Sequence, residues 1–181
     1  MAFATRPGLS PGLSFWGCPM ASRIKTSVVI GMVATALISG AEGLRTQAYK
    51  DPVGIPTICF GETRGVKIGD TATREQCRAM LDGRLVEISA AIDRCLVTAV
   101  PDMSYAALLS LAYNIGSGAF CASTLVKKAN AGDVAGACEE ILRWDKAGGV
   151  ALPGLTRRRG DEHDLCRQGL GGKPHSRGAG I

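Results

Sequence analysis

The sequence predicts a mainly helical α+β domain that carries one small β-hairpin region and begins with a weakly apolar helix. Apolar residues recur at helical spacing after residue 73. After residue 101 they occupy nearly every face of the predicted helix. A short strand at residues 57–61 is followed by closely spaced glycines, which favour turns over helix. Hydrophobic residues form 46% of the 181 residues, which is enough to bury a core.

Composition and charge argue against several classes of function. The net charge of +5 favours an anionic partner, but lysines and arginines do not cluster with aromatic residues as in nucleic-acid binders. No glycine-rich phosphate loop follows a strand, and His163 and His175 lack the spacing of metal ligands. The seven cysteines contain no Cys-x-x-Cys pair. We therefore expect no cofactor, no metal and no nucleic-acid partner.

The N-terminal segment is open to three interpretations. Residues 1–19 are rich in Gly, Pro and Ser, so we expect a disordered extension, with Met20 as a plausible natural start. Residues 26–41 are uncharged and would form a helix of about 24 Å, short of the roughly 30 Å of a bilayer core. They suit a weak uncleaved anchor, a signal peptide cleaved after Ser39-Gly40-Ala41, or a buried helix.

Local signals place the turns and helices that follow. Asp51-Pro52-Val53-Gly54 suits a type I turn, within a hairpin region that we expect over residues 49–68. Thr73 and Gln76 form a capping box for the first long helix. Pro101-Asp102 begins a second helix, which should be the buried centre and end at Gly116-Ser117-Gly118. Three further helices are predicted from Ser123 to near Gly132, from Asp133 to Gly148-Gly149, and from Thr156 to Gly169.

The last predicted helix carries charged residues four apart. Arg157 with Asp161, and Arg158 with Glu162, are spaced for exposed ion pairs. The run of three arginines that includes them suits either a solvated helix face or contact with an anionic polymer, and we favour the solvated face. Residues 171–181 are expected to form a disordered tail.

Two carboxylates and a hydroxyl are candidates for acid–base chemistry. Glu42 ends an apolar run before Gly43, where the helix dipole and apolar neighbours favour the protonated form and a raised pKa. Asp51 lies at a turn, where backbone N–H groups and water hold it ionised, and the hydroxyl of Thr57 follows on the next strand. Two carboxyls with different pKa values suit acid–base hydrolysis. Each residue also has a purely structural explanation, as a solvated helix end, a turn residue and a strand residue.

These residues also carry a resemblance to a known family. A Glu, eight residues, an Asp, five residues and a Thr resemble the catalytic signature of phage-type lysozymes, glycoside hydrolase family 24. The resemblance extends over about residues 20–170. The weakly apolar segment upstream is similar to that of the signal-arrest-release endolysins of phages and prophages. The supporting segments are Glu42-Gly43-Leu44-Arg45, Tyr49-Lys50-Asp51, Gly54, Thr57-Ile58, Gly61, Tyr113-Asn114-Ile115-Gly116-Ser117-Gly118, Asn130-Ala131-Gly132-Asp133, Gly136-Ala137-Cys138 and Arg143-Trp144.

The resemblance implies a muramidase with a two-lobe, lysozyme-like fold. Its substrate would be peptidoglycan, cut at the β-1,4 bond between N-acetylmuramic acid and N-acetylglucosamine with inversion. Glu42 would be the general acid, Asp51 would stabilise the transition state and help direct water, and Thr57 would position that water. The enzyme would act as a monomer without a cofactor. The rival interpretation is a non-catalytic cell-wall-binding or membrane-anchored protein on the same fold.

The resemblance also implies a change of location. Residues 20–41 would tether an inactive, phage- or prophage-encoded form in the inner membrane, with residues 26–41 in contact with lipid. They would then become the first helix of the released periplasmic enzyme, whose catalytic domain spans residues 42–170. Cleavage after Ala41 would make Glu42 the N-terminus and remove that helix, so we favour an uncleaved anchor. The anchor contains no cysteine and the second site residue is Asp51, which argues against a thiol switch.

The cysteines suit a periplasmic protein. Leaving out Cys18, six remain and allow fifteen pairings, among which the sequence does not choose. We expect Cys59–Cys77, Cys138–Cys166 and Cys95–Cys121; the alternative is that several are buried thiols.

Overall fold

A computed structural model describes residue 23 and residues 27–51 and 54–172, with Glu42 described by its backbone alone. The expected extension at 1–19, the proposed start at Met20 and residues 173–181 lie outside the described residues. Small two-stranded sheets accompany a mainly helical architecture. The helices are α1 (Val28–Glu42), α2 (Arg74–Ile92), α3 (Asp102–Ile115), α4 (Ser117–Ala122), α5 (Thr124–Asn130), α6 (Val134–Glu140) and α7 (Pro153–Gly169).

Helix α1 begins and ends at residues that suit those positions. The hydroxyl of Ser27 accepts a hydrogen bond from the N–H of Ile30, which satisfies a donor of the first turn. Gly43 ends the helix with φ of 69°, a conformation that glycine adopts at little cost. The structure therefore confirms the predicted helix end. Its buried face recurs every four residues, at Ile30, Ala34 and Ile38.

A β-hairpin follows α1 directly. Strands β1 (Arg45–Lys50) and β2 (Pro56–Cys59) are antiparallel, and Lys50 pairs with Pro56 next to the turn. The expectation that the hairpin begins near Tyr49 is wrong by four residues, because β1 is polar and largely exposed and so lacks apolar alternation.

Helix α3 forms the centre of the molecule. Every residue from 104 to 112 is buried, and α3 packs against α1, α2 and α7. This confirms the predicted central helix. It ends at Gly116, whose φ is 85°.

Three boundaries in the C-terminal half differ from the prediction. Helix α6 ends at Glu140, a 3-10 turn covers Ile141–Arg143, and a second hairpin follows: β3 (Lys146–Ala147) and β4 (Val150–Ala151). Gly148 and Gly149 therefore make a hairpin turn, with positive φ, and do not end a helix. Helix α7 begins at Pro153, a residue suited to the first helical turn. Thr156 is not its cap, because the Thr156 hydroxyl donates to the carbonyl of Leu152.

Three disulfides join neighbouring elements, in the pairing expected. Cys59–Cys77 links β2 to α2, and Cys138–Cys166 links α6 to α7. Cys95–Cys121 links the end of the α2 region to α4. The alternative of buried free thiols is therefore wrong for these six cysteines.

Candidate functional site

Glu42 lies at the junction between the helical part and the hairpin. It is the last residue of α1, and β1 begins three residues later, at Arg45. The first predicted site residue thus stands between the two parts of the fold.

Asp51 opens the turn that connects β1 to β2. Its carbonyl accepts from the N–H of Gly54 at 2.9 Å, which is the contact that the predicted turn requires. Its side-chain Oδ1 accepts from the N–H of Ile55 at 2.8 Å, and its own N–H donates to the carbonyl of Ile55 at 3.0 Å. The half-buried carboxylate is therefore held by the turn that it opens.

Thr57 lies inside the same hairpin, on β2. Its side chain is buried, and its hydroxyl donates to the carbonyl of Ile55 at 3.0 Å. Asp51 and Thr57 thus meet around one residue, Ile55. The hairpin brings these two predicted site residues together, and the backbone of Glu42 lies at the end of α1.

Two cavities flank the last turn of α1. One of about 400 Å³ lies between α1, α3 and α7 and is bordered by Gly40, Ala41 and Asn114. Another of about 250 Å³ is bordered by Ser39 and Leu44. A further cavity of about 920 Å³ lies between α6, the second hairpin and α7, and none of its lining residues is a predicted site residue. The first two cavities therefore border the end of α1, next in sequence to Glu42.

A buried ionic network lines the first of these cavities. The side chains of Glu162 and Arg159 are fully buried, and that of Arg158 is only 8% exposed. Glu162 Oε1 accepts from Arg158 Nε at 3.1 Å and from Arg159 Nη2 at 3.0 Å. The hydroxyl of Ser110, on α3, also donates to it, at 2.7 Å. Burial raises the pKa of Glu162, and the two guanidinium groups oppose that effect.

This network corrects the sequence prediction for α7. Arg158 and Glu162 do form an i,i+4 pair, but the pair is buried and not exposed, and the arginine run is not simply a solvated face. The buried side of α7 consists mainly of charged and polar residues, so apolar periodicity gives no sign of it. Arg159 also donates to Asn114 Oδ1 at 3.1 Å, which connects the network to α3. The sequence signal for this network is the spacing of Arg158 and Arg159, which lie four and three residues before Glu162.

His163, the one histidine among the described residues, lies between two carboxylates. His163 Nε2 lies 3.1 Å from a carboxylate oxygen of Glu139, and Nδ1 lies 3.4 Å from Asp164. Within residues 23, 27–51 and 54–172, no group of three or more metal-binding side chains is assembled. In the same part of the chain, no helix has both the length and the apolar character to cross a bilayer.

Comparison with known proteins assigns the family. The family model described as phage lysozyme matches residues 39–162, which include Glu42, Asp51 and Thr57. The chain belongs to the phage lysozyme family. It is similar to a protein of bacteriophage PS119 named SAR-endolysin, with 39% identity over 144 residues, 76% of this chain and 86% of that protein.

Solved structures of the family agree with this fold. An endolysin from Escherichia coli O157:H7 phage FAHEc1 has 33% identity and a TM-score of 0.68, covering 74% of this chain and 90% of its own. The active form of the P1 phage endolysin Lyz has 26% identity and a TM-score of 0.70, covering 85% and 97%. The lysozyme-like fold expected from the sequence is therefore confirmed.

Proposed function

We propose that this phage lysozyme is an endolysin that hydrolyses the β-1,4 bond between N-acetylmuramic acid and N-acetylglucosamine in peptidoglycan. Family membership supports glycosidase chemistry, and the single observation that carries the site is the convergence of Asp51 and Thr57 on Ile55 in the hairpin that follows α1. The enzyme acts as a monomer and needs no cofactor in this proposal.

Each site residue has a separate role. Glu42, as the general acid, protonates the leaving oxygen of the glycosidic bond. Asp51 stabilises the positive charge that develops at the anomeric carbon and accepts a proton from the attacking water. The hydroxyl of Thr57 donates its hydrogen bond to the Ile55 carbonyl. Its oxygen can therefore only accept a hydrogen bond from that water.

The stereochemical outcome is part of the proposal. An inverting enzyme needs room for water between the two carboxyl groups, which are then roughly 6.5–9.5 Å apart. Water attacks from the face opposite the leaving group, and the new reducing end is the α-anomer. Proton NMR during the first minutes of digestion distinguishes this product from the β-anomer of a retaining enzyme.

Product analysis tests the bond that is cut. Purified sacculi are digested with the soluble protein, reduced with borohydride and hydrolysed to free amino sugars. Reduced muramic acid is the expected product, whereas reduced glucosamine would contradict the proposed bond. Binding to sacculi without any new reducing end would support the non-catalytic rival.

We further propose that residues 26–41 tether the protein in the inner membrane before release to the periplasm. The similarity to SAR-endolysins supports this, and so does the outer face of α1, where Val28, Val29 and Met32 remain exposed in the folded form. Intact mass of the soluble form tests whether the segment is retained. A mass that begins at Glu42 would contradict an uncleaved anchor.

A further inference from the structure

Arg23, just before α1, is held on the connection between α2 and α3. Its backbone N–H donates to Asp93 Oδ2 at 3.1 Å, and its guanidinium donates to the carbonyl of Val100. The guanidinium also lies 3.7 Å from Asp102 Oδ1 and 4.3 Å from the centre of the Tyr105 ring. A cation over an aromatic face and beside a carboxylate is a specific contact in both charge and direction.

The surface that receives Arg23 is fixed by its own hydrogen bonds. Tyr105 is fully buried, and its hydroxyl donates to Asp93 Oδ1 at 2.6 Å and lies 2.9 Å from the hydroxyl of Ser89. Burial, as the larger cause, and the hydrogen bond to Asp93 raise the pKa of Tyr105, so its side chain stays neutral. Arg23 therefore docks on a surface that also has hydrogen bonds of its own.

A second contact connects this docking point to α1. The hydroxyl of Ser27 donates to Asp102 Oδ2 at 2.6 Å and accepts from Ile30 at the start of the helix. The N–H of Ser27 also donates to the carbonyl of Arg23 at 3.1 Å. Asp102 thus holds both Arg23 and the residue that caps α1.

The apolar face of α1 does not by itself fix where the helix lies along its axis. Its buried apolar residues, Ile30, Ala34 and Ile38, repeat every four positions, so a slide of four residues, about 6 Å, brings one apolar residue to the place of another. Apolar contacts are non-directional, whereas hydrogen bonds have a preferred distance and direction, even where the partners are only partly buried as here. The charged contacts before the helix therefore select one position along the axis.

We propose that Arg23 is a positioning residue that sets the axial register of α1 and thereby the location of Glu42 at its other end. This inference rests on the proposed role of Glu42 as the general acid. In the tethered form, Arg23 lies on the cytoplasmic side of the anchor, in keeping with the distribution of positive charge around membrane segments. Asp93 and Asp102 belong to the exported domain, so the contact forms only after release.

Substitutions at matched positions test this role. Arg23→Met removes the contact, and Lys25→Met removes an equal charge from the same flank of the anchor. In the soluble full-length protein, we expect R23M to lower kcat about 10- to 100-fold with KM nearly unchanged, because a small misplacement of a catalytic group is costly. K25M should retain wild-type kcat, and R23K should restore part of the loss.

A distance measurement separates register from activity. Spin labels at Met32→Cys on α1 and Asp82→Cys on α2, in a C18S background, report the axial position of α1 whether or not the enzyme is active. A shifted or broadened distance in R23M, with the wild-type distance kept in K25M, supports the register role. This holds even if the wild-type chain proves inactive, because inactivity would overturn only the proposed function. An active wild type whose distance or kcat is the same in R23M would overturn the inference.

Discussion

Asp51 and Thr57 are hydrogen bonded to the same residue, Ile55, one to its N–H and the other to its carbonyl. The two distances are 2.8 Å and 3.0 Å, so a single residue of the turn fixes the carboxylate relative to the hydroxyl. In the proposed mechanism, the hairpin therefore presents a proton acceptor and a water-binding hydroxyl as one unit, and substitution of either residue tests that mechanism.

Thr57→Val should abolish most of the activity while the fold persists. Valine has a shape similar to threonine but no hydroxyl, so the water loses its acceptor and the rate of hydrolysis falls about 100-fold. The Ile55 carbonyl loses one of its two hydrogen bonds and keeps the one from the Asp51 N–H, so we expect a loss of only about 1 kcal/mol of unfolding free energy. Thr57→Ser, which retains the hydroxyl, is the control. Full activity of T57V in a sacculus digestion assay would rule out this role for Thr57.

The buried network on α7 predicts a large effect on stability. Glu162→Gln removes the charge of the buried carboxylate that Arg158 and Arg159 both contact, so we expect a loss of about 3–5 kcal/mol of unfolding free energy. Arg157→Gln, on the exposed side of the same helix, is the matched control and should change stability by less than about 0.5 kcal/mol. Urea denaturation measures both. A loss below about 1 kcal/mol in E162Q would contradict the buried ion network.

The Cys138–Cys166 disulfide predicts a second effect on stability. It joins α6 to α7 over 28 residues and both cysteines are buried, so its removal relaxes the unfolded chain. The double variant Cys138→Ala with Cys166→Ala should lose about 3–4 kcal/mol of unfolding free energy. Reducing agent should destabilise the wild type more than this variant, because the variant has one bond fewer to lose. Free thiols at both positions in peptide mapping of the secreted protein would contradict the assignment.

Tyr105 predicts a loss of stability at alkaline pH. Its folded-state pKa is raised above the usual 10.0 by burial and by the hydrogen bond to Asp93. The unfolded chain therefore loses the phenolic proton first, so this stabilisation is complete below about pH 10 and declines as the pH rises above it. In thermal unfolding, Tyr105→Phe should have a lower Tm than the wild type at pH 8. The difference in Tm should become smaller above pH 10. A difference that stays constant to pH 11.5 would contradict this interpretation.

Much of the fold could be predicted because its signals are local. The capping box of Thr73 and Gln76 is present in the structure, and α3 is apolar nearly all round as a central helix must be. The sequence predicts a start for β1 that is four residues too late, because an exposed polar strand has no apolar alternation. It does not predict the second hairpin, because each strand of that hairpin has only two residues, too few for any periodicity.

The site was predictable in part for the same reason. Gly43 marks the end of α1, and the turn residues mark Asp51, so the positions of both carboxylates follow from nearby sequence. The contacts of Arg23 with Asp93 and Val100 join residues 70 and 77 positions apart, and no local pattern reports them. The burial of Arg158 and Glu162 was likewise invisible, because charged residues on a helix are exposed in most proteins.

The most direct test of the account is the hydrolysis rate of Glu42→Gln, measured from new reducing ends on purified sacculi. Glutamine keeps the shape of the side chain but cannot donate the proton that the leaving oxygen needs. We expect the rate to fall about 100- to 10,000-fold, with thermal stability and sacculus binding unchanged. Glu87→Gln, an exposed residue of α2, is the control and should retain the wild-type rate. An E42Q rate within about tenfold of wild type would contradict the central claim that Glu42 is the general acid.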